Sequence, residues 1–297
     1  MEIIQELEQS NRGYYCGALG WLDPNGDFAF SVPIRTIEIE KNLSSQVMNF
    51  TLGVGAGITI DSDAKQEWRE CQIKSAFLTG LPSNTGLFET IAVLNKAPQR
   101  LESHLDRMQN SAQSLRIPFN KEKARTVILN TCASLDQDLP IRLRLDLAAN
   151  GDLSTQCGAL NHINEPVKIF WTKDILPMSC EMSSSNPLLT HKVSARDLYD
   201  LAWQEAVKLG GFDALFVNEQ GFVTEGGRSS IFIKLGNSNE WLTPPISAGI
   251  LPGVMRATLL ADTTMNAREA NLTIQDVLMA KEIMLSNALR GAIKAYF

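Results

Sequence analysis

The 297-residue sequence predicts an α+β protein with more than one domain. Residues 141–147 alternate apolar and polar side chains, which is the pattern of a strand with one face in water. Residues 100–115 instead carry an apolar stripe at helical spacing, formed by Leu101, Leu105, Met108, Ala112 and Leu115. A chain of this length is long enough to form two domains of ordinary size.

The composition excludes several classes of protein. A net charge of -6 argues against nucleic-acid binding, and no apolar run approaches the ~18 residues of a membrane span. The five cysteines are scattered and odd in number, as in reduced thiols, and three histidines are too few for a His-rich metal site. Nothing at the N-terminus has the pattern of a signal peptide. We expect a cytoplasmic protein that acts on a small molecule.

The first predicted region, residues 1–78, opens with a short amphipathic helix over residues 1–8. Strands are predicted at residues 13–21, 28–39 and 47–54, with a turn at Asp23-Pro24-Asn25-Gly26 between the first two. A helix is expected over residues 64–78.

The second predicted region, residues 79–176, is a small α+β domain. It begins with a strand at residues 87–94, continues with the helix at 100–115, and contains the strand at 141–147. Asn150-Gly151 predicts a hairpin turn, and residues 167–171 predict a further strand.

The third predicted region, residues 177–297, starts with a polar, serine-rich loop over residues 178–186. A helical pattern from Leu198 ends at Gly210-Gly211, and a strand follows at residues 214–218. Further on, Pro252-Gly253 precedes a helix, a short helix is predicted at 274–280, and a strand with a loop at 282–291.

Two residues of this third region have the chemistry of a pyridoxal-phosphate site. Lys192 precedes the helix, and Glu225 is followed by two glycines, an arginine and the hydroxyl residues Ser229 and Ser230. A lysine amine can condense with the cofactor aldehyde, and a carboxylate can pair with the protonated pyridine nitrogen. Taken singly, such a lysine is usually a surface charge and such a glutamate a turn residue, so the order and spacing of the set carry the interpretation.

Residues from about 86 to 297 resemble the fold-type IV pyridoxal-phosphate enzymes, also called class IV aminotransferases. The resemblance implies a larger, β-barrel-like α/β domain beside the small domain, a dimer with its site near the interface, and Lys192 as the catalytic residue that also holds the cofactor. Glu225 would pair with the ring nitrogen, next to Ser229 and Ser230. Cofactor phosphate would be bound by residues of two further motifs, namely Arg107 of His104-Leu-x-Arg and the N–H groups of Val254 and Met255 after Gly249-Ile-Leu-Pro-Gly253.

The segment Asn287-x-Leu-Arg-Gly resembles the end of lyases fused to a synthase, and the resemblance implies a 4-amino-4-deoxychorismate lyase. Its products would be 4-aminobenzoate and pyruvate, on the route to folate. Two departures weaken an aminotransferase assignment more than a lyase one. Asp197 stands where aminotransferases often have a tyrosine that contacts the ring hydroxyl, so Arg196 or Tyr199 would have to serve, and Ser229-Ser230 replaces a frequent Ser-Asn pair.

Residues 1–78 resemble the C-terminal end of the chorismate-utilising synthases. In that family the residues at Arg35, Gly55, Gly57 and Lys74 hold the substrate carboxylates, and Glu67 and Glu70 lie at the magnesium site. Most of that domain is missing here, so we expect magnesium to bind only in an intact domain. We also expect the chain to be a fragment of a fused protein. Glu67, Glu70 and Lys74 at helical spacing are equally an ordinary solvated face.

Two other functions remain open at this stage. The first is an aminotransferase that acts on branched-chain or D-amino acids with the same lysine and cofactor. The second is a non-catalytic scaffold or a subunit that binds a glutamine amidotransferase, because the missing domain normally meets one.

Overall fold

A computed structural model describes residues 6–8, 11–41, 48–79, 85–135, 139–178, 180–236 and 238–297. The chain divides into two compact units, Met1–Ser83 and Asn84–Phe297. The further division of the second unit at residue 176 remains a prediction, but the strand Val167–Trp171, predicted in the small domain, pairs with strands formed by residues 213–217 and 291–296. No described helix is both long and apolar enough to cross a lipid bilayer.

The first unit contains two small antiparallel sheets and one helix. Strand β1 pairs with β2 and β3 with β4, and α1 follows; their bounds are β1 Leu19–Leu22, β2 Phe28–Ser31, β3 Ile37–Lys41, β4 Met48–Leu52 and α1 Ala64–Thr79. The predicted strand at residues 28–39 is interrupted, because Arg35 adopts a φ of +52° in the left-handed region. The predicted helix at residues 1–8 lies largely outside the described residues.

Apolar side chains of the first unit remain exposed. They include Trp21, Phe28, Phe30, Phe50 and Trp68, each more than half accessible to solvent. The buried apolar clusters found among the described residues all belong to the second unit. Two-stranded sheets rarely bury enough surface to be stable alone, so the first unit has no core of its own within the part that the structure describes.

The second unit begins with a four-stranded antiparallel sheet in the order β6-β5-β7-β8, flanked by two helices. The bounds are β5 Leu87–Leu94, β6 Ala97–Pro98, α2 Leu101–Ser114, α3 Lys121–Ala133, β7 Ile141–Leu147 and β8 Leu153–Ala159. Helix α3 was not predicted from the sequence.

Strand β7 shows how this sheet separates a core face from a cavity face. Its leucines at positions 143, 145 and 147 are buried against Leu105 and Met108 of α2. Arg142, Arg144 and Asp146 alternate with them and therefore point to the opposite face. That face borders the cavity described below.

The remaining strands form one eight-stranded mixed sheet, in the order β11-β10-β9-β16-β15-β12-β13-β14. The strand bounds are β9 Val167–Trp171, β10 Asp213–Val217, β11 Val223–Gly226, β12 Ser230–Leu235, β13 Trp241–Thr243, β14 Ala267–Glu269, β15 Ala280–Asn287 and β16 Gly291–Tyr296. The helices are α4 Thr172–Ile175, α5 Asp197–Lys208, α6 Val254–Ala261 and α7 Ile274–Leu278.

This sheet curls so that β11, at one edge, contacts the residues that follow β14, at the other edge. Val223 of β11 donates its N–H to the carbonyl of Leu272 at 2.7 Å, and Phe222 forms a β-bridge with Thr273. The enclosed face is filled by buried side chains such as Ile169, Leu215 and Ile231. The predicted β-barrel-like domain is therefore confirmed.

The segment around Lys192 is fixed to the first strand of the small sheet. The N–H of Phe88 donates to the carbonyl of Lys192 at 3.0 Å, and Ser194 donates to the carbonyl of Gly86 at 2.8 Å. Val193 forms a β-bridge with Leu87. These backbone bonds hold Lys192 between the small sheet and the curled sheet.

Candidate active site

A cavity of about 880 Å³ lies in the second unit, between the small antiparallel sheet and the curled sheet. Strands β5 and β7, the polar loop at 181–186 and the segment around Lys192 form part of its wall. The β11–β12 loop, the start of α6 and residues 286–290 form the rest. A cavity of this size and composition is typical of a small-molecule site. Every predicted cofactor residue of the second unit lines it, namely Arg107, Lys192, Glu225, Ser229, Ser230, Val254 and Met255.

Lys192 has the environment of an uncharged amine. Its Nζ lies 4.6 Å from the centroid of the Phe88 ring. Burial, followed by the positive charges of Arg196 and Arg107, lowers the pKa of the amine well below its usual value. An amine without its proton has a free electron pair, so it can act as a nucleophile or as a base.

Glu225 is a buried carboxyl, only 7% exposed. Its Oε1 accepts a hydrogen bond from the Tyr199 hydroxyl at 3.0 Å and another from the Leu251 N–H at 3.1 Å. Burial raises the pKa of Glu225 to about 7, although these hydrogen bonds and the charges of Arg196 and Lys192 oppose the rise. The carboxyl therefore changes its charge readily when a positive group approaches it.

The loop after Glu225 is built around the buried carboxylate of Asp213. Ser229 donates its hydroxyl to Asp213 Oδ2 at 2.6 Å, and the N–H of Arg228 donates to the same atom at 3.0 Å. A Cβ atom on Gly226 would stand 2.5 Å from that oxygen, so only glycine fits there. The Ser229 hydroxyl thus stabilises the loop, whereas the Ser230 hydroxyl lies next to Gly253.

Arg107 is held by a buried carboxylate at the other end of the cavity. Its Nε and Nη2 donate to the two oxygens of Glu89 at 2.8 and 2.6 Å, and Nη1 donates to the carbonyl of Pro252 at 3.1 Å. Burial raises the pKa of Glu89, but Arg107 and the hydrogen bond with His104 outweigh it and hold that pKa at about 2. Each terminal nitrogen of Arg107 still has a second N–H available for an anion.

The start of α6 lies at the same end as Arg107 and fits a phosphate group. The N–H groups of Val254 and Met255 are in the first turn of a helix and have no partner within it. A Cβ atom on Gly253 would stand 3.1 Å from Ser230 Oγ, so the glycine allows a close approach. Ser286 Oγ, also in the cavity wall, is buried and has no hydrogen-bond partner among the described residues. This donor set suits a dianion.

The residues present therefore fit pyridoxal 5'-phosphate. Arg107 and the α6 amides would hold the phosphate, Glu225 would face the ring nitrogen, and the Lys192 amine would meet the aldehyde. The two candidates for the ring hydroxyl have other partners in the structure: Tyr199 donates to Glu225, and Arg196 donates to the carbonyl of Gly227.

The predicted chorismate residues of the first unit are only partly assembled. Lys74 Nζ donates to the carbonyl of Gly55 at 2.8 Å and pairs with Glu70 at 2.5 Å. Arg35 is exposed, and Gly57 is open on the side where a Cβ atom would stand. No group of three or more His, Cys, Asp or Glu side chains in the described ranges could hold a metal ion. Magnesium at Glu67 and Glu70 stays a prediction for an intact domain.

Several functional side chains were missed by the sequence analysis. Glu89 and His104 position Arg107, Tyr199 bonds to Glu225, and Asp213 shapes the loop. His104 stood inside the motif that supplied Arg107, so a signal for it existed, and Glu89 lies on the strand predicted at residues 87–94. Asp213 and Ser286 gave none, because an acid or a serine at a strand end has no distinctive pattern.

A curled mixed sheet, a small antiparallel sheet and a lysine and a glutamate between them define the fold-type IV class of pyridoxal-phosphate enzymes. The family model described as "Amino-transferase class IV" matches residues 86–295. The chain therefore belongs to the class IV aminotransferase family, and the predicted family is confirmed.

Two similar proteins cover most of the second unit. A "putative aminodeoxychorismate lyase" of Schizosaccharomyces pombe is 30% identical over 200 residues, which are 65% of this chain and 82% of that protein. A crystal structure of a "putative 4-amino-4-deoxychorismate lyase" from Legionella pneumophila is 26% identical, with a TM-score of 0.62. It covers 71% of this chain and 81% of its own.

The first unit matches a different family. The model described as "chorismate binding enzyme" matches residues 1–80. Aminodeoxychorismate synthase component 1 of Bacillus subtilis is 42% identical over 77 residues, which are 26% of this chain and 15% of that protein. The chain thus spans about a seventh of the length of the synthase that it resembles.

Proposed function

We propose that the second unit is a pyridoxal-phosphate-dependent 4-amino-4-deoxychorismate lyase, which forms 4-aminobenzoate and pyruvate. The observation that carries the proposal is a Lys192 amine whose pKa is strongly lowered, in one cavity with the buried carboxyl of Glu225. The similarity to the Schizosaccharomyces pombe protein, described as a putative lyase, supports this substrate over others within the family.

The bound cofactor would supply a conjugated, positively charged ring that accepts the electron pair left on the substrate carbon. Arg107 and the amides of Val254 and Met255 would bind and orient it by its phosphate. Glu225, as a carboxylate, would hold the proton on the ring nitrogen. A positively charged ring would lower the pKa of Glu225 from about 7, so the carboxylate form would prevail in the loaded enzyme.

Lys192 would carry the proton transfers. Its uncharged amine takes the proton from the amine-bearing carbon of the substrate ring. The bond between the adjacent carbon and the enolpyruvyl oxygen then breaks with its electron pair on the oxygen, and the leaving enolate becomes pyruvate by taking up one proton on its methylene carbon, which balances the proton that Lys192 removed. The ring becomes aromatic, which makes the elimination favourable.

The proposal is tested with purified chain, added cofactor and 4-amino-4-deoxychorismate, by measuring 4-aminobenzoate and pyruvate. We expect equal amounts of the two products. Lys192→Ala should abolish turnover, while cofactor still binds through Arg107 and Glu225. Lys208→Ala is a matched control, because Lys208 is exposed on α5 and outside the cavity. Borohydride reduction and peptide mapping should place the pyridoxyl label on Lys192, and a label on another lysine would overturn the assignment.

An aminotransferase remains the second candidate, because the family as a whole is described by that activity. Addition of a branched-chain or D-amino acid together with a 2-oxo acid would then exchange the amino group between them. Formation of a new amino acid without 4-aminobenzoate would favour this function over the lyase. A colourless protein that gains no absorbance near the visible edge with cofactor would instead indicate the scaffold.

We further propose that residues 1–78 have no synthase activity by themselves and are dispensable for the lyase. The first unit has few of the groups that a chorismate site needs, and its apolar side chains are exposed. The whole chain should not convert chorismate with magnesium and ammonia, and a chain beginning at residue 79 should keep the lyase rate if it stays soluble. A homodimeric, cytoplasmic enzyme, and an amidotransferase partner for a complete synthase, remain proposals.

A further inference from the structure

The cavity wall contains more arginine than the cofactor requires. Seven arginines line it, and most have a defined partner within the protein. Those with a partner are Arg107 with Glu89, Arg144 with Asp146, Arg196 with Asp200, Arg256 with Glu269, and Arg290, which donates to the carbonyl of Asn161. The two that remain are Arg142 and Arg228.

Arg142 and Arg144 show the difference on a single strand. Both lie on the cavity face of β7, but Arg144 gives its Nε and Nη2 to Asp146, at 2.7 to 2.9 Å. Arg142 has no ion pair with a carboxylate among the described residues. Its guanidinium lies over Gly158 of β8, with Nη2 3.5 Å from the place of a Cβ atom. Because Gly158 has no side chain, the Arg142 guanidinium has room to turn toward the cavity.

Arg228 approaches the cavity from the β11–β12 loop. The loop is fixed because the N–H of Arg228 donates to the buried Asp213. Its guanidinium carbon lies 3.2 Å from the centroid of the Trp203 ring, so the planar group stacks on the indole. Stacking orients a guanidinium without using its N–H donors, and Arg228 has no ion pair with a carboxylate in the described ranges.

The two guanidinium groups affect each other across the cavity. Burial lowers the pKa of Arg228; the charges of Asp200 and Asp213 oppose this shift, and those of Arg196 and Arg142 add to it. Two cations that border one cavity repel each other, and an anion bound between them offsets this repulsion. A planar carboxylate is the anion that matches their paired N–H donors.

We propose that Arg142 and Arg228 bind the enolpyruvyl carboxylate of the substrate, and so select amines that carry this second carboxylate. The inference rests on the proposed function. 4-Amino-4-deoxychorismate has one carboxylate on its ring and another on the enolpyruvyl group. With the amine at Lys192 and the phosphate end occupied by cofactor, Arg142 and Arg228 are the unpaired arginines of the described wall. Arg142 on β7 and Arg228 on the β11–β12 loop determine specificity, whereas Arg144 forms an ion pair with Asp146.

The test measures binding of two aromatic ligands without an amine, which need no lyase chemistry. The dicarboxylate is 3-(1-carboxyvinyloxy)benzoate, and the matched monocarboxylate is 3-methoxybenzoate. Calorimetry with the cofactor-loaded chain gives both dissociation constants for the parent, Arg142→Met, Arg228→Met and Arg228→Lys. Arg268→Met is the control, because Arg268 is exposed on β14, pairs with Glu240 and lies outside the cavity.

We expect the parent to bind the dicarboxylate at least about tenfold more tightly than the monocarboxylate, because hydrogen bonds to a charged group are among the stronger ones. Arg142→Met and Arg228→Met should each remove most of this difference, Arg228→Lys should restore part of it, and Arg268→Met should keep it. In the lyase assay the two methionine variants should raise KM more than they lower kcat.

The outcomes separate the inference from the proposed function. If both methionine variants keep the parental preference for the dicarboxylate, the inference is wrong even when 4-aminobenzoate is formed. If the preference disappears in these variants but the parent forms no 4-aminobenzoate, the carboxylate site stands and the lyase assignment fails. A parent that binds both ligands equally would also overturn the inference.

Discussion

Glu89 and Glu225 are both buried carboxyls, Glu225 in the cavity wall and Glu89 bonded to the wall residue Arg107, yet their pKa values shift in opposite directions. Glu89 has two cationic or hydrogen-bonding neighbours that face its two oxygens, and its pKa is held at about 2. Glu225 accepts two hydrogen bonds from neutral groups on a single oxygen, and burial raises its pKa to about 7. Burial alone therefore does not determine the charge of a carboxyl; its partners do.

The difference matches the two tasks that the site would perform. Glu89 is a permanent anion that holds Arg107 in place at the phosphate end. Glu225 has no cationic partner in direct contact, and a protonated ring nitrogen would supply one. The proposed phosphate end would thus be complete before a ligand binds, whereas the proposed ring end would become complete with the ligand.

The largest effect is expected from Glu89→Gln. Removal of one partner of a buried ion pair costs about 3–5 kcal/mol, and Arg107 would keep its charge without a carboxylate. Urea unfolding of the parent and the variant, without cofactor, measures the loss. Because a bound phosphate can replace the lost negative charge, added phosphate should restore more stability in Glu89→Gln than in the parent. Equal responses to phosphate would show that Arg107 does not face the phosphate end.

Glu225→Gln is expected to preserve stability and reduce catalysis. Glutamine keeps an oxygen that accepts from Tyr199 and Leu251, so the cofactor-free protein at about pH 4, where Glu225 is protonated, should unfold within about 1 kcal/mol of the parent. Without the negative charge the ring nitrogen loses its proton, and kcat should fall about 10²-fold, or about 2.7 kcal/mol of barrier. A rate within about twofold of the parent would remove Glu225 from the role of ring partner.

The pH dependence of stability should distinguish the two carboxyls by its sign. The folded-state pKa of Glu89 lies below the ordinary 4.5, so its stabilisation is complete above pH 4.5 and is lost as pH falls toward 2. The folded-state pKa of Glu225 lies above 4.5, so its contribution is complete below pH 4.5 and is lost as pH rises through 7. Unfolding curves of cofactor-free protein should show that Glu89→Gln removes the acidic loss and Glu225→Gln the neutral one.

Tyr199→Phe is expected to have the smallest effect. The hydroxyl donates one hydrogen bond to Glu225, and such a bond contributes about 1 kcal/mol. Its loss raises the pKa of Glu225, because the bond stabilises the carboxylate. The acidic limb of the kcat/KM profile should therefore move to higher pH, while the rate at pH 8 falls less than about tenfold. An unchanged acidic limb would show that Glu225 does not control it.

Local patterns in the sequence were sufficient for much of the fold. Alternation predicted β7 with its bounds, and an apolar stripe predicted α2. These signals are local, since each comes from side chains a few residues apart on one element. The prediction was less accurate for the strand at 28–39. The structure divides it into two strands, with Arg35 in the left-handed conformation between them.

By itself, the sequence determined the family, the fold class and which residues could meet a cofactor, because those depend on residue types in a fixed order. Only the tertiary structure decided how each of them is used. It placed Glu89 against Arg107 across 18 positions of the chain, set Tyr199 on Glu225, and left Arg142 free while its neighbour Arg144 took Asp146. The charge of a buried group depends on the atoms around it in space, and distant segments of the chain supply those atoms only after folding.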